Sequence, residues 1–284
     1  MDIEKIVLGH LHAGNVKMQP CPHIDVQNMF PEAIHQQMLR ELPSYESIFS
    51  RFQINENIPS AFLIKKPDLE SKFSVPIIGQ FLDVLASEKF VDKVFKLFEK
   101  EIAHAMPYFA RGSVRPAEPG LFVNFPKTTV SGVGNSGKTF IRGPHLDDPR
   151  DVFVTLFYLK PEDSQVSGGE LELWRYKDGF KGFRRDIWWD ERELPLSTVT
   201  KEKSVPYESN RFVLLLDGID AIHGVSPVEL KGSCRFRISG GAWSSVPNYE
   251  YTEYLSVPRK ILEPVKLAAQ KVQRKIRKYL RVKP

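Results

Sequence analysis

The feature that most constrains the fold of this chain is a change in hydrophobic period near residue 109. Before it, residues 76–104 carry apolar side chains at helical spacing, with Ser87 as the cap of a second helix, and another helix is predicted to begin near Pro31. After it, turn-rich clusters separate short β-rich runs. The predicted strands are 109–114, 121–125, 139–141, 152–159, 170–176, 211–216, 222–225 and 233–239. This order predicts an α+β, mainly β protein in which helices pack on one sheet of an antiparallel jelly roll.

Charge is distributed unevenly along the chain. The 284 residues carry a formal net charge of +5, but residues 259–284 hold ten Lys or Arg and one acidic residue, a local charge of +9. The other 258 residues therefore carry −4, and this mildly acidic body argues against nucleic acid as a partner. Hydrophobic residues make up 42%, which allows a sizeable core and excludes disordered, collagen-like and coiled-coil proteins.

The sequence predicts neither secretion nor membrane insertion. The longest apolar run, 153–159, is far shorter than a bilayer span, and the N-terminus is acidic where a signal peptide is basic. Cys21 and Cys234 lie far apart and form no disulfide framework. We expect a cytoplasmic protein with one domain over residues 1–258. Its helical part spans about 20–106, its jelly-roll core spans about 107–245, and a basic helix follows over residues 259–284.

The basic segment 259–284 is predicted to be an amphipathic helix. Pro264 fits the first helical position. One apolar stripe follows, formed by Val265, Ala268, Ala269, Val272, Ile276, Tyr279 and Leu280. Two alternatives stay open: docking on the acidic body, or peripheral contact with an anionic membrane. The scarcity of large side chains in the stripe favours docking.

Residues 132–139 read GVGNSGKT and match the phosphate-binding pattern G-x-x-x-x-G-K-[ST]. Such a loop must open a helix whose N-terminal amides hold the phosphates. Gly143 and Pro144 arrive too soon for a helix to run through, and no βαβ pattern surrounds the loop. A hairpin loop is favoured, and a nucleotide-binding protein is kept as an alternative.

The segment GPHLDD carries a pair of metal-ligating residue types. His145 and Asp147 are two residues apart at the end of an extended run, so both side chains point to the same face. Of the seven histidines, His223 stands out because it directly follows a buried-looking strand and begins another. Two His and one Asp leave three octahedral positions open, which is the arrangement of non-haem Fe(II) oxygenases.

The order of the motifs resembles the 2-oxoglutarate- and Fe(II)-dependent dioxygenase superfamily, in particular its prolyl-4-hydroxylase-like branch. The resemblance covers roughly residues 20–245. Its motifs are PCPHIDVQNMFPEAIHQQMLRELP, GPHLDD, YLKP, GGELELW, PYESNRFVLLLDG and SCRFRISGGAW. It implies a double-stranded β-helix, which is a jelly roll with helices against one sheet. It also makes His145, Asp147 and His223 the iron ligands.

The resemblance further implies the chemistry of the site. The cofactors expected are Fe(II), 2-oxoglutarate as co-substrate and O2, with ascorbate as a candidate reductant. Oxidative decarboxylation would release succinate and CO2 while a C–H bond of the substrate is hydroxylated. Related halogenases replace the carboxylate ligand by a small residue, so the presence of Asp147 favours hydroxylation.

Two arginines are candidates for binding 2-oxoglutarate. Strand alternation places Arg235 and Arg237 on the face opposite Phe236 and Ile238. Two buried cations without an anion would be costly, so a dicarboxylate is their expected partner. The family strand reads Arg, two variable positions, then a branched aliphatic residue, which Arg235 and Ile238 fit. The resemblance thus assigns Arg235 to the distal carboxylate and leaves Arg237 in a supporting or substrate-side role.

The substrate stays open between a small molecule and a peptide. The prolyl-hydroxylase branch often has Tyr three residues before the first ligand histidine, where this sequence has Arg142. Arg142 either pairs with an anionic substrate or is a solvated edge residue. Trp188 and Trp189, in the long irregular stretch 177–206, are further substrate-side candidates. A non-catalytic jelly-roll binding module is the remaining alternative.

Overall fold

A computed structural model describes residues 2–52, 61–125, 142–177, 194 and 196–249. The helices in these residues are α1 (Ile3–His10), α2 (Glu32–Glu41), α3 (Tyr45–Phe52), α4 (Lys66–Lys72), α5 (Pro76–Leu85), α6 (Glu88–Leu97) and α7 (Glu99–Ala105). The strands are β1 (Val16–Lys17), β2 (His23–Gln27), β3 (Ala61–Lys65), β4 (Val114–Pro116), β5 (Gly120–Asn124), β6 (Arg142–His145), β7 (Asp151–Leu159), β8 (Ser167–Gly168), β9 (Leu171–Tyr176), β10 (Val199–Val205), β11 (Arg211–Leu216), β12 (His223–Val225), β13 (Val228–Glu229) and β14 (Arg235–Ser244). None of these helices has the length and apolar character needed to span a membrane.

The strands form two main antiparallel sheets. The major sheet has the order β1-β2-β11-β7-β14-β5-β3, with β4 also paired to β14. The minor sheet has the order β10-β9-β12-β6, and β13 pairs with β8 separately. From β5 to β14 the chain passes repeatedly between the major and minor sheets. Among the described strands of these two sheets, β9 and β10 are the one pair in this stretch that is consecutive along the chain and also adjacent in a sheet. This connectivity is that of a jelly roll, as the sequence predicts.

Side-chain alternation along β14 divides the helical layer from the interior. Phe236 and Ile238 are buried in the core cluster that includes residues of α5 and α6, whereas Arg235 and Arg237 lie on the other face of the strand. Helices therefore cover one face of the major sheet. Its other face is left to line the space between the sheets.

Three phenylalanines join the helices to the major sheet. Phe30 lies just before α2, Phe81 is in α5 and Phe157 is in β7. Their ring centroids are 5.2 to 5.3 Å apart with edge-to-face geometry in every pair. Such pairs contribute about 0.5–1.5 kcal/mol each beyond the burial of their apolar area.

A buried ionic network joins β2 and β11 of the major sheet to β10 of the minor sheet. Asp25 of β2 accepts hydrogen bonds from Arg211 of β11 at 2.8 and 3.0 Å. Lys203 of β10, in the minor sheet, donates to Asp25 at 3.2 Å and to Nε2 of His23 at 2.9 Å. The Asp25 side chain is only 3% exposed. The positive charges that surround Asp25 stabilise its buried carboxylate.

Several predicted elements are confirmed and two predictions are wrong. The stretch 177–206 is not irregular throughout, because Val199–Val205 form β10 through pairing with β9. Ser87 caps α6, since its hydroxyl accepts the N–H of Phe90 at 3.1 Å, and a helix begins at Glu32 directly after Pro31. Residues 109–113 do not form a strand, and β4 begins only at Val114. Both the N–H and the hydroxyl of Ser113 donate to the carbonyl of Ala110, which closes a turn just before β4. The predicted strand 139–141 lies outside the described residues.

Candidate metal centre and co-substrate pocket

Two histidines face each other on neighbouring strands of the minor sheet. His145 ends β6 and His223 begins β12, and the two residues are register partners in this antiparallel pair. Their ring centroids lie 4.3 Å apart and both residues are buried. Strand pairing therefore brings together two residues that are far apart in the sequence.

Asp147 lies two residues beyond β6 and completes the cluster. Its Oδ1 is 3.6 Å from Nε2 of His145, and its Oδ2 is 3.2 Å from Nε2 of His223. One ligand atom from each of the three residues lies within 4.8 Å of the others. The structure thus brings together the three residues that the sequence predicts as iron ligands.

The backbone fixes the orientation of both imidazole rings. Nδ1 of His145 lies 2.7 Å from the carbonyl oxygen of Gly143, and Nδ1 of His223 lies 3.0 Å from that of Ala221. Because a carbonyl oxygen only accepts, each Nδ1 carries a proton, and Nε2 is the ring atom left for ligation. Nε2 of each ring faces the Asp147 carboxylate. Backbone carbonyls orient metal-ligating histidines in this way.

Burial and neighbouring charge set the protonation of the cluster. Burial, reinforced by His223, lowers the pKa of His145 to about 4, so this ring is neutral at pH 7. Burial disfavours ionisation of Asp147, but His223 and His145 outweigh it and hold the pKa of that carboxyl well below its usual value. One carboxylate beside neutral imidazole is the protonation state that metal ligation requires.

The cluster fits a divalent iron ion. Nε2 of His145 is buried and has no hydrogen-bond partner within the described part of the chain, which is costly unless a ligand occupies that direction. Two imidazole nitrogens and one carboxylate form the donor set of non-haem Fe(II) sites with open positions. The observed geometry is therefore compatible with the ion that the sequence motifs imply.

A second carboxyl group beside this cluster was not predicted from the sequence. Asp217, directly after β11, is 4% exposed, and its Oδ1 accepts the N–H of Gly218 at 2.8 Å. It lies with Asp151 close to Asp147. Burial, together with the charges of Asp147 and Asp151, raises the pKa of Asp217 well above its usual value. An acidic residue directly after a strand as apolar as RFVLLL is the sequence feature that could have indicated it.

Arg142 lies at the edge of the metal-ligand cluster. It begins β6, its Nη1 is 3.4 Å from Oδ1 of Asp147, and its side chain is 37% exposed. The guanidinium thus reaches both the cluster and solvent. Its position is compatible with the substrate-side role predicted for it.

Arg235 is held by the protein itself. It is 1% exposed, and its guanidinium donates to the carbonyl of Gly169 at 2.7 Å and to Oδ1 of Asn124 at 3.3 Å. The guanidinium carbon also lies 4.6 Å from the ring centroid of Tyr207 and 5.4 Å from that of Tyr158. These contacts hold the guanidinium in place, and its Nε is buried without a hydrogen-bond partner among the described residues.

Arg237 has a different environment. In the register of β14 it lies between Phe122 of β5 and Tyr158 of β7, and its guanidinium lies 4.1 Å from the centroid of the Phe122 ring. Its Nε is buried without a hydrogen-bond partner among the described residues. Burial, followed by the charge of Arg235, lowers the pKa of Arg237 to about 10, so it remains a cation at pH 7. A buried cation with this unused donor is suited to an anionic ligand.

Other predicted features lie outside the described residues. These are Trp188 and Trp189, the 132–139 loop, and the basic segment 259–284. Their predicted roles stay predictions.

No protein-family model matches the sequence, and no curated protein matches it. Solved structures do match, and those compared are prolyl hydroxylases and other enzymes of the group that the sequence motifs resemble. A prolyl hydroxylase from Trichoplax adhaerens, in complex with a peptide of hypoxia inducible factor, is 12% identical with a TM-score of 0.42, covering 85% of this chain and 89% of its own.

Two further structures are similar to the same extent. A Pseudomonas putida prolyl-4-hydroxylase is 12% identical with a TM-score of 0.42, covering 86% of this chain and 95% of its own. The epimerase SnoN from nogalamycin biosynthesis, in complex with Fe3+, α-ketoglutarate and nogalamycin RO, is 10% identical with a TM-score of 0.44, covering 85% and 84%. At this level of similarity, function has to be argued from the geometry of the site.

Proposed function

We propose that the protein is a 2-oxoglutarate- and Fe(II)-dependent dioxygenase that hydroxylates a C–H bond of its substrate. One observation carries the proposal. His145, Asp147 and His223 converge on one point, with Nε2 of His145 buried and unpartnered among the described residues. Bound there, Fe(II) would supply oxygen activation coupled to oxidative decarboxylation of the co-substrate.

The chain's own residues prepare this site in two ways. Carbonyl oxygens of Gly143 and Ala221 hold the two imidazoles in the ligating tautomer before any ligand arrives. Close to Asp147, burial and the charges of Asp147 and Asp151 raise the pKa of Asp217 well above its usual value, which favours the neutral form of that carboxyl. The pKa of Asp147 is shifted in the opposite direction, so Asp147 ionises before Asp217 and the negative charge is available at the ligand position.

For the distal carboxylate of 2-oxoglutarate, the contacts support Arg237 over Arg235. Nε is buried without a partner in both arginines, but Arg235 already donates through its other nitrogens to Gly169 and Asn124, whereas Arg237 has no such hydrogen bond to the described residues. The charges of Asp147 and Arg142 both act on Arg237, which indicates that Arg237 lies near the metal ligands. Tyr158, its register partner on β7, shares the inner face and is a further candidate for this pocket.

For the substrate, the position of Arg142 supports a molecule that carries an anionic group. Its guanidinium is within 3.4 Å of Asp147 yet 37% exposed, so it can pair with a carboxylate or phosphate that arrives from solvent. Arg142→Gln is expected to raise the KM of an anionic substrate while the affinity for 2-oxoglutarate stays within about twofold. A neutral preferred substrate in a panel of amino acids, peptides and phosphorylated small molecules would contradict this assignment.

The proposed function is tested by measuring metal binding and co-substrate turnover separately. We expect the metal-free protein to bind one Mn(II) per chain in an electron paramagnetic resonance titration. With Fe(II) and O2 it should convert 2-oxoglutarate to succinate. His145→Ala, Asp147→Ala and His223→Ala should each lose metal binding and succinate formation while circular dichroism shows an intact fold.

A matched control is available on the surface. His104 is an exposed histidine of α7, so His104→Ala should bind Mn(II) and form succinate like the wild type. Wild-type metal content in the His223→Ala variant would overturn the proposal. So would a wild-type protein that binds the metal but neither binds nor decarboxylates 2-oxoglutarate.

A further inference from the structure

An apolar groove lies between α6, α7 and residues 106–111, and its lining includes none of the three metal-ligand candidates. Its volume is 540 Å3. The apolar residues that line it are Phe95, Ile102, Ala103, Met106, Pro107 and Phe109. Lys96, Glu99 and Arg111 also line it, so its charges are mixed. The groove is of the size that holds several apolar side chains.

The described chain ends beside this groove. The N–H of Tyr108 donates to the carbonyl of Asn248 at 2.9 Å, and Tyr108 stands between the groove residues Pro107 and Phe109. The N–H of Asn248 in turn donates to the carbonyl of Pro149 at 2.8 Å. Whatever follows residue 249 therefore starts within a few residues of the groove.

Three of the six large apolar side chains that are exposed among the described residues lie beside this groove, namely Tyr108, Trp243 and Val246. Residues 243–248 run along residues 108–115, through the pairing of Trp243 with Arg115 and the hydrogen bond from Ser245 N–H to the Ser113 carbonyl. Trp243 is 37% exposed and Val246 is 43% exposed. Exposed apolar side chains beside a groove indicate a surface that binds a partner.

We propose that residues 259–284 of the same chain occupy this groove as an amphipathic helix. The stripe from Val265 to Leu280 would pack into the groove, and its Lys and Arg side chains would point to solvent. The 14 residues from 250 to 263 could span about 45 Å if fully extended, so chain length does not limit access to the groove. A short tether gives an effective concentration of about millimolar, which makes a modest apolar contact sufficient.

Charge favours an intramolecular partner. Residues 259–284 carry +9 and the rest of the chain carries −4, so the segment and the body attract each other. The small side chains Ala268 and Ala269 in the stripe allow a close approach of the helix to the groove wall. This inference is independent of the proposed enzymatic function, since it uses none of the metal-site residues.

Cross-linking in the full chain tests the proposal. The two native cysteines are buried, so single cysteines placed at Ala103, in the groove, and Ala269, in the stripe, are the reactive pair. With a short bismaleimide we expect a cross-link within one chain, at the monomer mass, in most molecules. The matched control pairs Ala103→Cys with Gln270→Cys, which turns the second cysteine away from the stripe and should cross-link at least fivefold less.

Two further measurements distinguish residues 259–284 from the other candidate occupants of the groove or partners of the stripe, which are a second copy of the chain and a lipid membrane. In Ala103→Arg, an exposed substitution, trypsin should cleave within residues 259–284 at least tenfold faster than in the wild type. A cross-link found only at the dimer mass would overturn the proposal in favour of a second copy. Equal cross-linking of the Ala269 and Gln270 pairs would also overturn it. So would pelleting of the full chain with phosphatidylserine vesicles that is lost on truncation after residue 258, because the stripe would then be bound to lipid.

Discussion

Asn210 hydrogen-bonds through its side chain to both backbone groups of Phe30. Its Oδ1 accepts the Phe30 N–H at 2.9 Å and its Nδ2 donates to the Phe30 carbonyl at 2.8 Å. Asn210 is 3% exposed and has a φ of 60°, in the left-handed region that Asn tolerates better than most residues. One side chain thus attaches the segment before α2 to the turn that leads into β11.

We expect Asn210→Ala to lower the free energy of unfolding by about 2–4 kcal/mol, because two buried backbone groups lose their partner. Urea denaturation measures the change. Asn210→Gly loses the same hydrogen bonds but accepts the positive φ, so it should be less destabilised than the Ala variant by about 1 kcal/mol. An Ala variant within 0.5 kcal/mol of the wild type, on the order of a surface substitution, would contradict this role.

The two arginines of β14 should respond differently to truncation. Arg237→Ala is expected to weaken binding of 2-oxoglutarate tenfold or more, because a carboxylate of the ligand then lies in the pocket without its cation. Arg235→Ala should mainly lower stability, since it removes a buried side chain that packs on two tyrosines. Calorimetric titration of 2-oxoglutarate with Mn(II), beside urea denaturation of both variants, separates the two effects. A larger loss of affinity in Arg235→Ala would return the distal carboxylate to Arg235.

Gly169 is required where Arg235 approaches the backbone. Its φ is +73°, and a Cβ there would lie 2.8 Å from Nε of Arg235. Gly169→Ala is therefore expected to lower the free energy of unfolding by about 1–3 kcal/mol. Gly232 also has a positive φ but has open space around it, so Gly232→Ala reports backbone strain alone. Thermal denaturation should show the larger loss at Gly169, and equal losses would mean that Arg235 moves aside without cost.

Asp25 makes stability depend on pH. Burial opposes its ionisation, but hydrogen bonds and charge from Arg211, followed by the charge of Lys203, outweigh burial and hold the pKa of Asp25 below its usual value. A carboxyl whose pKa is lower in the folded chain stabilises the fold fully above its unfolded pKa of about 3.9. That stabilisation is lost as the pH falls through the folded-state pKa.

We therefore expect Asp25→Asn to cost about 3 kcal/mol at pH 7, and the gap to the wild type to shrink as the pH is lowered below about 4. Urea denaturation at pH 7 and pH 3 measures it. Asp163→Asn, at an exposed position, should show no such dependence. A gap of equal size at both pH values would mean that Asp25 acts through its shape and not through its charge.

The sequence predicts the fold class and the metal ligands because both depend on local patterns. His145 and Asp147 are two residues apart, and His223 stands between two recognisable strands. Residues 61–65 were not predicted as β3, since their assignment depends on pairing with β5, and the same holds for β10 and its pairing with β9. Local pattern also failed at 109–113, where Ser113 hydrogen-bonds to Ala110 and forms a turn in a stretch of strand-like composition.

The roles of the charged residues were harder to predict than their positions. Alternation correctly places Arg235 and Arg237 on the inner face, but it contains no information about the acceptors at Gly169 and Asn124. Those acceptors come from β5 and from the segment between β8 and β9. The environment of Asp217 likewise depends on Asp147 and Asp151, which only the folded chain brings near it.

The alternation of β14 has a consequence for how the protein can change. Even-numbered positions such as Phe236 and Ile238 contact the helical layer, and odd-numbered positions such as Arg235 and Arg237 face the space between the sheets. Within this one strand, the odd-numbered positions should therefore tolerate substitution better than the even-numbered positions. A library restricted to Arg237 and Ser239 could explore new ligands at little cost in folding, whereas randomising Phe236 and Ile238 would mainly yield unfolded chains.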